Sequence, residues 1–420
     1  MSSAIIPADP QTLRGEPLSP AQLRALMPAL ANKTYFNYGG QGPLPSPSLA
    51  AITESWQRIQ ELGPFTGSIW PWLAAQTQGL RADLAVICGV PPHRLALTEN
   101  VSSGCVLPLW GLPWQGGDEL LIGDCEHPGV VAACRELAHR EGLTLSTLAV
   151  GSIRPGSGVA SDGAVLDALD QALTPRTRLV VLSHLLWNTG LVMPIEAVAQ
   201  RLEHHPRHPW LLVDAAQSVG SLPVAAAASA ADIYAFTGHK WCCGPEGLGG
   251  VALSERILSA SRPTLGGWRS LANENDAGLD GPGGGHDPWH HDGRRFEVAT
   301  SCAPLMAGLR CSLELLDAVG GAPARLALIR ERSSQLWLGL QAIPGLKTLL
   351  QEPPPAGLVS VELEGDGRGH TPESLVEQLG QQGVWLRSLD HPHCLRACTH
   401  LTTTSEEVEQ LLAALNSFLH

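Results

Sequence analysis

The sequence predicts an α/β fold with a seven-stranded, mostly parallel sheet in a large domain, followed by a smaller α+β domain. Two observations carry that reading. From residue 51 to about residue 300, short apolar runs alternate with stretches of helical periodicity, the pattern of helices packed on both faces of a parallel sheet. After a break rich in Gly, Pro, Asp and His at 271–293, the order changes to two long helical stretches and then strand, helix, strand, helix.

In chain order, residues 1–33 read as an N-terminal tail and 34–50 as a separate segment before the large domain, 51–300. Seven apolar runs supply the strands: RLALT (94–98), ELLIG (119–123), LSTLAV (145–150), RLVVLS (178–183), WLLVD (210–214), DIYAF (232–236) and LGGVALS (248–254). Between two of them, PGVVAACRELAHREG has apolar residues at helical spacing and Gly142 as its stop. VAAAASAAD (224–232) reads as a connector. The small domain, 301–420, takes helices over 303–319 and 322–343, the strand GLVSVELE, the helix TPESLVEQLGQQG, the strand VWLRSL and the helix SEEVEQLLAALNSFL.

The 420 residues are 44% hydrophobic and 16% charged, which excludes global disorder and a disulfide-stapled mini-scaffold. With 27 basic and 40 acidic residues the net charge is −13, and no Lys/Arg-rich run argues for a nucleic-acid or anionic-membrane partner. No apolar stretch reaches the roughly 18 residues of a membrane helix. The N-terminus lacks the basic start and apolar core of a secretory signal, and the ten cysteines are scattered, some within apolar runs such as AVICGV. The expectation is buried free thiols in a reducing cytoplasm.

Open α/β sheets bind ligands beyond the carboxyl ends of their strands, and that is where the reactive side chains collect. ENVSSG follows the first run, DCEHPG the second, HLLWNTG the fourth; DAAQS overlaps the end of the fifth, and TGHKW follows the sixth. Of three lysines, Lys240 alone sits directly after an apolar strand. A buried lysine amine has a depressed pKa and serves as a Schiff-base former, and pyridoxal phosphate (PLP) is the natural partner. That cofactor needs a carboxylate for its pyridinium nitrogen, donors for its phosphate and a side chain on its ring. Asp214, the hydroxyls of NVSSG and His127 are of those three types. Each has an ordinary explanation alone: Lys240 as a snorkelling surface lysine, Asp214, Ser102 and Ser103 as helix caps, His127 as a loop histidine. Five separate loops each offering a suitable group is what favours the site. His286, Asp287, His290, His291 and Asp292 lack regular ligand spacing, so no metal is expected, and Cys242 and Cys243 are adjacent, which is not a redox C-x-x-C.

With CEHPG, DAAQS and TGHK in this order, the chain resembles the class V aminotransferase group of PLP enzymes, from TYFNYGGQG (34–42) to the C-terminus. YFNYGGQGPLP, DCEHPG, SHLLWNTG, FTGHKW, GGWRS and RFEVATS together look most like the cyst(e)ine C–S lyases. The resemblance implies a fold-type I PLP-dependent transferase, a homodimer with active sites at the subunit interface and segment 34–50 close to them. It implies that Lys240 holds the cofactor, Asp214 pairs with the pyridinium nitrogen, Gln217 bonds the ring oxygen and His127 stacks on the ring, with Lys240 and His127 as the catalytic residues. Ser102, Ser103, Thr237 and His239 would hold the phosphate, with Thr300 from the partner subunit. Arg396 would take the substrate α-carboxylate, with Asn188 and Gly40 as further substrate contacts.

Cysteine desulfurases carry a nucleophilic cysteine on a mobile loop just before that arginine, but here only SLDHPHC separates Arg387 from Leu395. The loop is therefore read as deleted, and Cys394 as too close to Arg396 to reach a substrate. Sulfur then leaves by β-elimination, with Lys240 removing the Cα proton and pyruvate, ammonia and a persulfide or sulfide as products. L-cystine is favoured over L-cysteine because a persulfide is the better leaving group, and Arg269 of GGWRS is expected to meet its distal carboxylate. A sulfur acceptor is a further expected partner. A desulfurase would instead yield alanine and an enzyme persulfide, an aminotransferase would need a keto acid, and a PLP-fold binding protein would turn over no amino acid.

Overall fold

The computed structural model describes residues 17–153, 161–273, 288–365 and 369–419. The seven apolar runs form one sheet from β1 (Leu95–Thr98), β2 (Glu119–Gly123), β3 (Thr144–Leu148), β4 (Thr177–Ser183), β5 (Trp210–Asp214), β6 (Ile233–Thr237) and β7 (Gly249–Leu253). Their order is β1-β7-β6-β5-β4-β2-β3, parallel throughout except that β7 runs against both of its neighbours. Each strand lies within two residues of its expected run, and all but the edge strand β3, whose first four residues are alternately half-buried and exposed, are apolar on both faces. Leu121, Val180, Leu182, Leu211, Val213, Tyr234 and Phe236 pack on one side of the sheet, and Leu120, Ile122, Leu179, Val181, Leu212 and Ile233 on the other.

From β2 the chain moves outward to β3, then returns to lay β4 on the other side of β2. The carboxyl ends of β2 and β4 therefore flank a topological switch point, where the loops on either side part and leave a crevice. The expected connector at 224–232 instead contains a short helix, Ala225–Ala230, whose Ala227 and Ala228 are buried against the core. Small side chains let it pack closely, so alanine content marked packing there.

The second sheet is antiparallel, in the order β10-β11-β9-β8, from β8 (Leu346–Thr348), β9 (Leu358–Leu363), β10 (Arg387–Asp390) and β11 (His393–Cys398). Helices Ala322–Gln341, Pro372–Gln381 and Ser405–Leu419 share a core with it that includes Leu336, Leu375, Leu395 and Leu411. VWLRSL does not form the single strand expected: Val384–Trp385 pairs with Thr34–Tyr35, and Arg387–Asp390 pairs with β11. Strands β8 and β11 escape sequence reading because they are short or carry His, Arg and Cys between their apolar residues. All ten cysteines are free, eight of them buried. No helix among the described residues is long and apolar enough to cross a membrane.

Candidate active site

The crevice at the switch point is lined by Val101, Ser102, His127, Val130, Ser183, Leu185, Trp187, Asp214, Ala216, Gln217 and Lys240, around about 410 Å³ of empty space. Five separate strand ends, those of β1, β2, β4, β5 and β6, thus contribute, the number of loops expected. Lys240 lies just past β6, in a turn where Cys243 N–H donates to its carbonyl. Gly42 packs directly on this turn: a Cβ there would sit 2.0 Å from the Lys240 carbonyl oxygen, so only glycine allows the approach. Burial lowers the Lys240 pKa, Asp214 opposes the shift, and Arg396 and Arg387 reinforce it. The neutral, nucleophilic amine is thereby favoured.

Asp214 ends β5 and is buried, with Oδ1 accepting from Ala216 N–H at 2.8 Å. Burial raises its pKa, against the pull of that hydrogen bond, Lys240 and His127. His127 caps the helix α1 (Pro128–Glu141), its Nδ1 accepting from Gly129 N–H at 3.2 Å, and burial lowers its pKa. Gln217 is locked by two partners: its Nε2 donates to the Gly39 carbonyl (2.9 Å) and its Oε1 accepts from the Trp241 indole (2.8 Å). An indole only donates and a carbonyl only accepts, so the orientation of the amide is determined. Ser102 and Ser103 lie in the first turn of helix Val101–Trp110, where Asn100 Oδ1 accepts from Ser103 N–H. Thr237 Oγ1 and His239 Nδ1 are 2.6 Å apart.

This donor set fits PLP. A carboxylate faces an amine across the crevice, an aromatic ring rises from the β2 end, and a helix N-terminus with hydroxyls suits a phosphate.

Arg396 is 1% exposed on β11. Its Nη1 donates to the Trp187 carbonyl (3.0 Å) and its Nη2 to Asn37 Oδ1 (3.1 Å), whereas its Nε is buried without a partner. Among the described residues no carboxylate pairs with it, although a buried guanidinium ordinarily requires one. An anionic ligand satisfies that need. Arg387, which is exposed, stands directly opposite Arg396 across β10 and β11, so two positive charges lie side by side there. Asn188 Nδ2 donates to the His391 carbonyl (3.3 Å) and approaches Cys125 Sγ (3.4 Å), leaving its buried Oδ1 unpaired.

Gly40, Arg269 and Thr300, all expected at the site, do not line the Lys240 crevice of their own chain. Gly40 is turned onto Asn37, and it is Gly39 that lies against Gln217, Cys398 and the Arg396 guanidinium, because the bend at 37–41 points the preceding glycine at β11. Within its own chain Arg269 does not reach the Lys240 crevice; it lines another with Thr98, Glu99, Gly247 and Glu297, its guanidinium 5.1 Å from the Trp268 ring. Thr300 is exposed outside the crevice of its own chain. Of the loop histidines and acids, His286 and Asp287 lie outside the described residues, and among the described residues no cluster is arranged to hold a metal.

Asn37, Trp187 and Arg387 were not singled out from sequence. Asn37 had a signal, since it stands inside YFNYGGQG; the other two are identified only by cross-strand and loop contacts.

Behind His127, Glu126 is buried and accepts from Ser183 N–H (2.7 Å) and Ser183 Oγ (2.8 Å). Burial first and then Asp214 raise its pKa to about 8. The folded protein therefore binds this proton more tightly than the unfolded chain, and stability falls as pH rises from the ordinary glutamate range towards 8. Glu126→Gln is expected to be the more stable form, with an advantage that grows from pH 5 to pH 8, to as much as a few kcal/mol, and then levels off. Thermal melts of both proteins across that range check this.

Comparison with known proteins agrees with the geometry. The aminotransferase class-V family model matches residues 73–411. The structure of the cystine C–S lyase C-DES with its reaction product cysteine persulfide is 41% identical, with a TM-score of 0.85 over 93% of this chain and 99% of that one. An isopenicillin N epimerase from Amycolatopsis lactamdurans is 28% identical over 93% of this chain and 96% of its own. A probable cysteine desulfurase from Xylella fastidiosa (strain 9a5c) is 27% identical over 80% of this chain and 79% of its own. The chain belongs to the class V aminotransferase family of PLP-dependent enzymes.

Proposed function

We propose that the protein is a carbon–sulfur lyase that cleaves L-cystine, and less readily L-cysteine, by β-elimination. The observation that carries this is the β10–β11 hairpin. Asp390 and His393 pair directly, so only His391 and Pro392 form the turn, and no loop carries a thiol towards Lys240 there. Cys394 is wholly buried beside Leu349 and Leu389, and burial pushes its thiol up to about 12. A neutral, packed thiol is a poor nucleophile.

Asp214, Gln217, His127, Ser102, Ser103, Thr237, His239 and Lys240 hold the cofactor, with Thr300 of the partner subunit in a homodimer. Bound PLP supplies an electron sink for a carbanion at Cα. Arg396 binds the α-carboxylate and Arg387 adds a second positive charge; Asn188 Oδ1 accepts from the amino acid. Lys240 Nζ, whose pKa burial lowers, takes the Cα proton. The Cβ–S bond then breaks with its electron pair on sulfur, and hydrolysis of the remainder gives pyruvate and ammonia.

Product analysis tests this. L-cystine is expected to yield pyruvate and persulfide, and Cys394→Ser to retain the wild-type rate within about twofold, since it lies away from the reacting atoms. Alanine as the product from L-cysteine, lost in Cys394→Ser, would establish a desulfurase instead.

A further inference from the structure

Trp187 forms one wall of the crevice beside Lys240 and Asp214, and it is immobilised from several sides. Its indole N–H donates to the Cys125 carbonyl at 2.9 Å. Its ring meets His127 edge-on, with centroids 5.9 Å apart at 68°. It packs against Leu349, Leu389 and Cys394, two of which belong to the short hairpin. Its own carbonyl holds Arg396 Nη1. An amino acid whose carboxylate sits on Arg396 therefore has Trp187 as an immediate neighbour of its side chain, on the side where a longer β10–β11 loop would have to enter.

We propose that Trp187 is a specificity-determining residue: its indole is the wall on which the sulfur of the substrate side chain rests, in the place where a desulfurase presents a thiol. The assignment rests on the lyase reading. Sulfur is polarisable and attracted to an aromatic ring, whereas a methylene of similar size gains little there. The indole, already pinned at its nitrogen and along its edge, gives this attraction with little loss of side-chain freedom on binding.

S-methyl-L-cysteine and L-norvaline differ only by sulfur in place of methylene, which makes them the probes. The holoenzyme is titrated with each, and binding is read from the visible absorbance of the cofactor. The wild type is expected to prefer the sulfur compound by about fivefold. Trp187→Phe, which keeps a ring, should retain most of that preference, and Trp187→Leu should reduce it to about one. Full cofactor occupancy and an affinity for glycine within twofold of wild type show that the variants are folded and that Arg396 is still in place. A preference that survives in Trp187→Leu, or an equal loss of affinity for both probes and for glycine, overturns the proposal. Product analysis with L-cystine tests the lyase reading separately: absence of pyruvate would remove that reading, while the ratio between the probes still reports the contact.

Discussion

Lys240→Ala is expected to lower turnover of L-cystine by about 10⁴-fold or more, because the proposed mechanism uses one amine both to hold the cofactor and to move the proton at Cα. The structure provides no understudy. Lys33 and Lys347, the remaining lysines, do not line the crevice. His127 faces it, but its Nδ1 is committed to Gly129 N–H and its ring is assigned to stacking. The cofactor itself should remain, since Asp214, Gln217 and the N-terminus of helix Val101–Trp110 are unaffected. The variant is thus expected to keep PLP and lose its covalent link. The checks are the visible absorbance, which should move to that of cofactor not bonded to lysine, and single-turnover release of pyruvate, which should vanish. Added methylamine is expected to restore a small fraction of the rate, as a diffusible replacement for the side chain. A variant that still released pyruvate at the wild-type rate would remove Lys240 from the mechanism.

Arg396→Ala is expected to lower kcat/KM for L-cystine by about 10³-fold, the cost of removing one partner from a buried charge pair. Its guanidinium is 1% exposed and held by two neutral acceptors, the Trp187 carbonyl and Asn37 Oδ1. These aim it without neutralising it. Arg396→Lys keeps the charge but lacks the planar fork that meets both acceptors and a carboxylate at once, so it should recover only part of the loss. In both variants the visible absorbance without substrate should stay as in wild type, because Arg396 is not among the groups assigned to hold PLP. Steady-state kinetics and that spectrum together separate lost substrate binding from a damaged cofactor site. An Arg396→Ala enzyme with unchanged KM and kcat would show that the carboxylate binds elsewhere, with Arg387 as the next residue to change.

Most of the large sheet was legible from sequence. Apart from the edge strand β3, its strands are buried on both faces and read as apolar runs, and the reactive residues follow those runs immediately. Lys240, Asp214, His127 and Gln217 were found by that local rule. The small domain was less legible. β11 reads as polar because Arg396 lies in it, and nothing in the sequence says that this arginine is buried between Trp187 and Asn37. The glycine pair at 39 and 40 shows the same limit, since either could have faced the site and only the direction of the bend chose Gly39.

The sequence by itself determined the order of the strands along the chain, the lysine and carboxylate at their ends and the missing length between Arg387 and Leu395. All of these are properties of neighbouring residues. Only the tertiary structure decided the rest: β2 and β4 side by side at the switch point, Trp187 against the short hairpin, Arg269 in a different crevice and the depressed pKa of Lys240. Those depend on burial and on contacts between residues far apart in sequence, where the low-dielectric interior sets which charges remain unpaired and therefore what the site must bind.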